Sequence, residues 1–128
     1  MSMDPLNIAG SALTSERLRM DVISANIANI NTTRNHLGQI QPYQRKLAVF
    51  KTVLDEAQSK VSGVTVDHVE NDTAPMRYVY DPSHPDSNSQ GYVVYPNVSV
   101  EREMVDMATA KAAYEANVTA IQTYKTMF

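Results

Sequence analysis

A chain of 128 residues, 43% hydrophobic and 20% charged with a net charge of −3, has room for one domain of ordinary globular composition. Its charge is spread evenly: residues 1–30, 31–97 and 98–128 each come to about −1, so no basic stripe exists to neutralise nucleic-acid phosphates. The absence of cysteine excludes disulfides, thiolate metal sites and cysteine nucleophiles, and no apolar run approaches the ~18 residues of a membrane span.

The chain opens Met1-Ser2-Met3-Asp4-Pro5, without the basic and then apolar stretches of a secretory leader, so export would proceed without a cleaved signal peptide. Residues 4–31 then read as one helix. Leu6, Ala9, Leu13, Glu16, Met20, Ile23, Ile27 and Ile30 follow steps of three and four, and only Glu16 breaks the apolar seam. Asp4 is the expected N-cap, with Pro5 at the first helical position. Asn29, Asn31, Thr32 and Thr33 are poor helix formers and mark the end.

The middle has a different texture. Tyr43–Val53 is a strand candidate that could also be read as helix, Gly63–Val69 alternates like a half-buried strand, and Arg77–Tyr80 is a third candidate. All prolines but Pro5 fall in 42–96, and residues 81–91 form a long polar loop.

A second helix is expected over 99–128. Val100, Met104, Met107, Lys111, Tyr114, Val118, Ile121, Lys125 and Phe128 repeat the alternating steps, with the two lysines as breaks. Ser99 can cap its start, Glu101, Glu103 and Asp106 suit the positive end of the helix dipole, and frequent alanines permit close helix approach. The predicted class is α+β. Long terminal helices (1–31 and 99–128) pack as a coiled-coil-like stem, and 32–98 is a small β-rich, loop-rich insertion.

Each helix offers one narrow seam, interrupted by charge. Such a seam can close a monomeric core, or it can serve assembly, where a neighbouring subunit supplies opposite charge to Glu16, Lys111 and Lys125. Pattern alone leaves both open.

The stretch Ser24-Ala25-Asn26-Ile27-Ala28-Asn29-Ile30-Asn31-Thr32 resembles the Asn-rich signature of the flagellar rod and hook axial proteins, and Ala12–Ile23 resembles the helix leading into it. Tyr80-Asp81-Pro82-Ser83-His84-Pro85-Asp86 and Gly91-Tyr92-Val93-Val94-Tyr95-Pro96-Asn97-Val98 are similar to proximal-rod members of that family. Glu103–Met107 and Tyr114–Val118 are similar to its C-terminal helix. Together these cover about two-thirds of the chain, in family order; 34–41 and 54–76 match weakly.

The resemblance implies a structural subunit, not an enzyme, of the proximal rod in the periplasmic part of the bacterial flagellar basal body. It implies type III export, helical assembly, and a share in passing torque from motor to hook. Its partners would be other rod proteins, proteins at the junction with the export gate and membrane ring, and copies of itself, with no nucleic acid, membrane span or cofactor. The expected subunit interface is Leu6, Leu13, Arg17, Met20, Ile23, Asn26, Ile27, Ile30 and Asn31 on the first helix. On the second it is Met104, Met107, Tyr114, Val118, Ile121 and Phe128. In the heptad frame of Leu6 and Ala9, Asn26 falls at g and Asn31 at e, where amides can bond across to another helix.

His36, His68 and His84 have no ligand-spaced partners and read as surface or turn residues. No phosphate loop, nucleophile elbow or paired catalytic carboxylates are present. The competing reading is a cytosolic coiled-coil adaptor forming a closed oligomer. It differs from an open polymer in symmetry.

Overall fold

The computed structural model describes residues 5–55 and 60–128; the expected Asp4 cap lies outside them. In order come helix α1 (Pro5–Ala28), strands β1 (Lys46–Asp55), β2 (Lys60–Asn71), β3 (Arg77–Tyr80) and β4 (Tyr92–Tyr95), and helix α2 (Val100–Met127). This is the α+β arrangement expected, two long terminal helices packed together with small hairpins between them.

Helix α1 stops three residues early. The Asn29 amide donates to the Ala25 carbonyl at 2.8 Å, beside the backbone bond from Asn29 N to the same oxygen. A side chain that competes for helix carbonyls is a terminator. Helix α2 starts as expected: Ser99 has extended backbone, its hydroxyl accepts from Arg102 N at 3.4 Å, and it donates to Glu101.

The end of α1 meets the start of α2, so α2 runs back antiparallel along α1. On α1 the predicted seam holds, with Ala9 and Ile23 buried and the other seam residues half-buried. On α2 it is rotated. Met107, Tyr114, Val118 and Ile121 are half-buried as the seam requires, but Val100, Met104, Lys111, Lys125 and Phe128 face outward, while Glu103 and Ala110 are buried and Asn117 and Tyr124 half-buried. The cause is Glu103, drawn inward by a cation described below. That turn removes both lysines from the packed face.

Strands β1 and β2 form a long antiparallel hairpin, Lys46 opposite Asn71 and Asp55 opposite Lys60, with register shifts at Val49/Phe50 and Val53/Leu54. Such bulges raise local twist and let a ribbon follow a helix. The hairpin lies along α1. The Ser11 hydroxyl accepts from Val64 N at 2.9 Å, and the Ser15 hydroxyl donates to Val64 O at 3.1 Å. Two helix serines therefore satisfy backbone groups on the exposed edge of β2. Gly63 allows this approach, since a Cβ there would stand 2.6 Å from Ser11 Oγ.

Strand β4 is an element that the sequence reading did not identify. It pairs antiparallel with β3, Arg77 opposite Tyr95 and Tyr80 opposite Tyr92. Gly91, at φ 86°, closes the loop between them where any Cβ would meet the Tyr80 ring at 2.9 Å.

Candidate assembly interface

An interface needs a rigid base and an outward face, and the base is polar. Arg45, in the extended segment before β1, is 5% exposed, and Glu103 on α2 is fully buried. The guanidinium fans across three carboxylates: Nε to Glu103 Oε1, Nη1 to Asp72 at 3.0 Å, and Nη2 to Asp106 at 3.2 Å. Burial alone would lower the Arg45 pKa. The hydrogen bond and charge of Glu103, then those of Asp72, outweigh it and hold Arg45 above its ordinary value. Asp72 is held below the usual carboxylate range, first by the Ala74 N–H and then by Arg45.

Asn26 joins α1 to this cluster. Its amide donates to Lys46 O at 2.8 Å and Glu103 Oε2 at 3.4 Å, and accepts from the Tyr43 hydroxyl at 2.7 Å and Lys46 N at 3.0 Å. Those four bonds use the full capacity of a side-chain amide. Desolvation, then the Glu103 charge, raises the Tyr43 pKa against the opposing pull of Arg45, so this hydroxyl keeps its proton. Asn97 completes the knot: it accepts from Arg45 N at 2.7 Å and donates to the Asp72 and Ala74 carbonyls.

A second polar lock holds the 81–91 loop. Asp86 accepts from the Thr33 hydroxyl and pairs with Arg34, which together hold its carboxyl below the usual range. His84 Nδ1 accepts from Asp86 N at 3.0 Å, and its ring meets Tyr95 edge-on. Arg77 stacks on Tyr95 at 4.7 Å and reaches back to Asn31 Oδ1 at 3.4 Å.

The predicted interface residues therefore divide. Leu6, Leu13, Met20 and Ile27 on α1, Ile30 just beyond its end, and Met107, Tyr114, Val118 and Ile121 on α2 are half-buried. Ile23 is buried, and so is Asn26, whose amide makes four bonds within the chain. Arg17, Asn31, Met104 and Phe128 are exposed; Met104 is 62% and Phe128 87% accessible, beside Val105 at 64% and Met127. Sequence reading missed Tyr43, Arg45, Asp72 and Asn97. No local pattern marks them, since they come together only through long-range closure. Glu103 was visible only as a helix-dipole charge.

Two family models match the ends of the chain: one described as flagella basal body rod protein over residues 6–34, and one as flagellar basal body rod FlgEFG protein C-terminal over residues 89–128. The flagellar basal-body rod protein FlgC of Bacillus subtilis is 42% identical over 95% of this chain and 90% of its own length. Its counterparts in Borreliella burgdorferi (42%, 96% and 90%) and Salmonella typhimurium (38%, 94% and 88%) agree. The chain belongs to the FlgC family of flagellar basal-body rod proteins. As a member of that family it is a structural protein of the rod, not an enzyme, and one that assembles with other rod proteins. Among the described residues, no helix is long and apolar enough to cross a membrane. The stretches that carry the resemblance coincide with the polar locks: Asn26 lies in the Asn-rich stretch of the wider rod and hook family, His84 and Asp86 in the loop, and Asn97 just before α2.

Proposed function

We propose that this chain is a subunit of the proximal rod, exported by the flagellar type III apparatus without cleavage. It assembles helically, through the outward faces of its terminal helices, with other rod proteins, with proteins at the export-gate and membrane-ring junction, and with copies of itself. Residues 1–31 and 99–128 line the tube as its stem, and 32–98 pack outside. The assembled rod passes torque from the motor to the hook.

The observation that carries this reading is the outer face of α2. The inner face is satisfied against α1 and Arg45, yet Met104 and Val105 stand largely in solvent on a side of the helix that, among the described residues, packs against no other element. Large apolar side chains grouped on one exposed face mark a surface meant for burial. An open tube requires heterologous contacts between different faces of neighbouring subunits. The polar junction supplies stiffness, since torque passes only through elements that do not rotate against one another.

The test is hydrogen exchange on α1 and α2 in dilute protein and in isolated basal bodies, with light scattering on the dilute sample. A dilute monomer whose helix ends gain protection in the rod is the expected result. A defined closed oligomer in dilute solution, with no added protection in basal bodies, would sink it in favour of an adaptor.

A further inference from the structure

Where α1, β1 and α2 meet, a cavity of about 250 Å³ opens beside the junction, floored by Val22, Ile23, Leu47 and Ala48. Its walls carry more positive than negative charge: Arg19, Arg45, Lys46 and Arg102 against Asp106. Arg45 is consumed by its carboxylates, and Lys46 Nζ donates to Asn71 at 2.7 Å. The other two guanidinia are poorly matched. Arg102, mostly exposed, has a carboxylate only at 3.9 Å, from Asp72. Arg19 has Glu16 at 3.6 Å, beyond hydrogen-bond distance, and Glu16 Oε2 is buried without a hydrogen-bond partner.

We propose that this cavity is a socket for a second copy of this chain, which inserts the face of α2 that carries Glu101, Met104 and Val105. The inference rests on the rod reading and names the contact within it. Charge complementarity selects the occupant. Two under-used guanidinia above an apolar floor call for a carboxylate flanked by apolar side chains, and guanidinium–carboxylate contacts are strong and directional. Glu101 offers that, with Met104 and Val105 three and four residues on and therefore beside it on the helix. Its carboxylate is held below the usual range by its own backbone N–H and by Ser99, so it is charged at neutral pH.

Arg102 lies between Glu101 and Glu103, so socket and knob occupy different sides of one helix. The contact is thus head-to-tail and propagates, as a tube needs.

The chain has no cysteine, which makes a clean test available. Val22→Cys and Met104→Cys are placed on separate copies, and both are produced in cells lacking the natural chain. Basal bodies are isolated, confirmed to contain the chain, and oxidised. Dimer is expected with the mixed copies and not with either variant alone. Adding Arg102→Glu to the Val22→Cys copy reduces that dimer roughly tenfold, and Glu101→Arg on the Met104→Cys copy restores it. Homodimer from one variant alone, or chain-containing basal bodies with no mixed dimer, would overturn the socket while leaving the rod reading intact. Basal bodies without the chain would overturn the rod reading itself.

Discussion

The two ends of the helix pair are built on opposite principles. Where α1 ends and α2 begins, Arg45, Glu103, Asn26 and Tyr43 are mutually satisfied, and the chain closes on itself with charge in its interior. At the other end, Met127 and Phe128 are exposed, and the main feature is the Tyr124–Phe128 ring contact at 4.9 Å. The first end is closed on its inner face, though Met104 and Val105 stand exposed on the outer side of the same turn of α2; among the described residues, the second end presents Met127 and Phe128 outward. A buried ion network contributes little net stability over an apolar replacement but strongly fixes geometry when every member is paired. The first end therefore sets the angle at which the second is presented.

The sharpest way to break that contrast is at the finished end. Glu103→Ala strands Arg45 among fewer acids and should lower unfolding free energy by about 3 kcal/mol, read from urea midpoints. Adding Arg45→Met should recover part of the loss, because the uncompensated cation goes with it. An additive double variant would mean that the two side chains are not coupled.

Gly63→Ala comes next. The new Cβ meets Ser11 Oγ at 2.6 Å, so either Ser11 swings away and gives up its bond to Val64 N or the hairpin lifts from α1. A loss of about 1–2 kcal/mol is expected. Ser11→Ala in the same chain should lessen it, although Val64 N then loses its acceptor. A fully tolerated Gly63→Ala would show that the hairpin rides loosely on the helix.

A smaller effect should come with acid. The folded-state pKa of Asp72 is depressed, so its contribution is present above the unfolded value of ~3.9 and is lost as pH falls through the folded one. Asp86, lowered by Thr33 and Arg34, acts in the same direction. Stability should therefore fall between about pH 5 and pH 2, and Asp72→Asn should flatten that slope. An unchanged slope would place the acid sensitivity at other carboxylates.

How much of this was legible follows the range of the interactions. The α1 seam, the Ser99 cap and strand β3 rest on local spacing and chemistry, and they stand where the pattern put them. The helix limit at Asn29 was near, and the composition pointed to it. The α2 seam was readable only in part, at Met107, Tyr114, Val118 and Ile121, because its exact register is set by a charge: Glu103 turns inward to Arg45, fifty-eight positions earlier in sequence. Apolar periodicity cannot register an ion pair. Strand β4 was hidden for a related reason, since four residues carry too little alternation to be told from any apolar run. The serines at 11 and 15 lie off the apolar seam and carry no signal of their own, and only the edge of β2 gives them a purpose.

The smallest effect is expected at the unfinished face, and its smallness is what makes it informative. Met104→Gln and Val105→Gln replace exposed apolar side chains by a good helix former, so neither the core nor helix propensity changes much. Within the isolated chain the midpoint should shift by less than about 0.5 kcal/mol. In cells the same pair should reduce the amount of chain recovered in basal bodies, because the surface it alters is buried only on assembly. A large loss of stability in the isolated chain would mean that this face already packs within the subunit. An unchanged yield in basal bodies would mean that assembly uses another face, and the contrast between the inner and outer sides of α2 would lose its functional meaning.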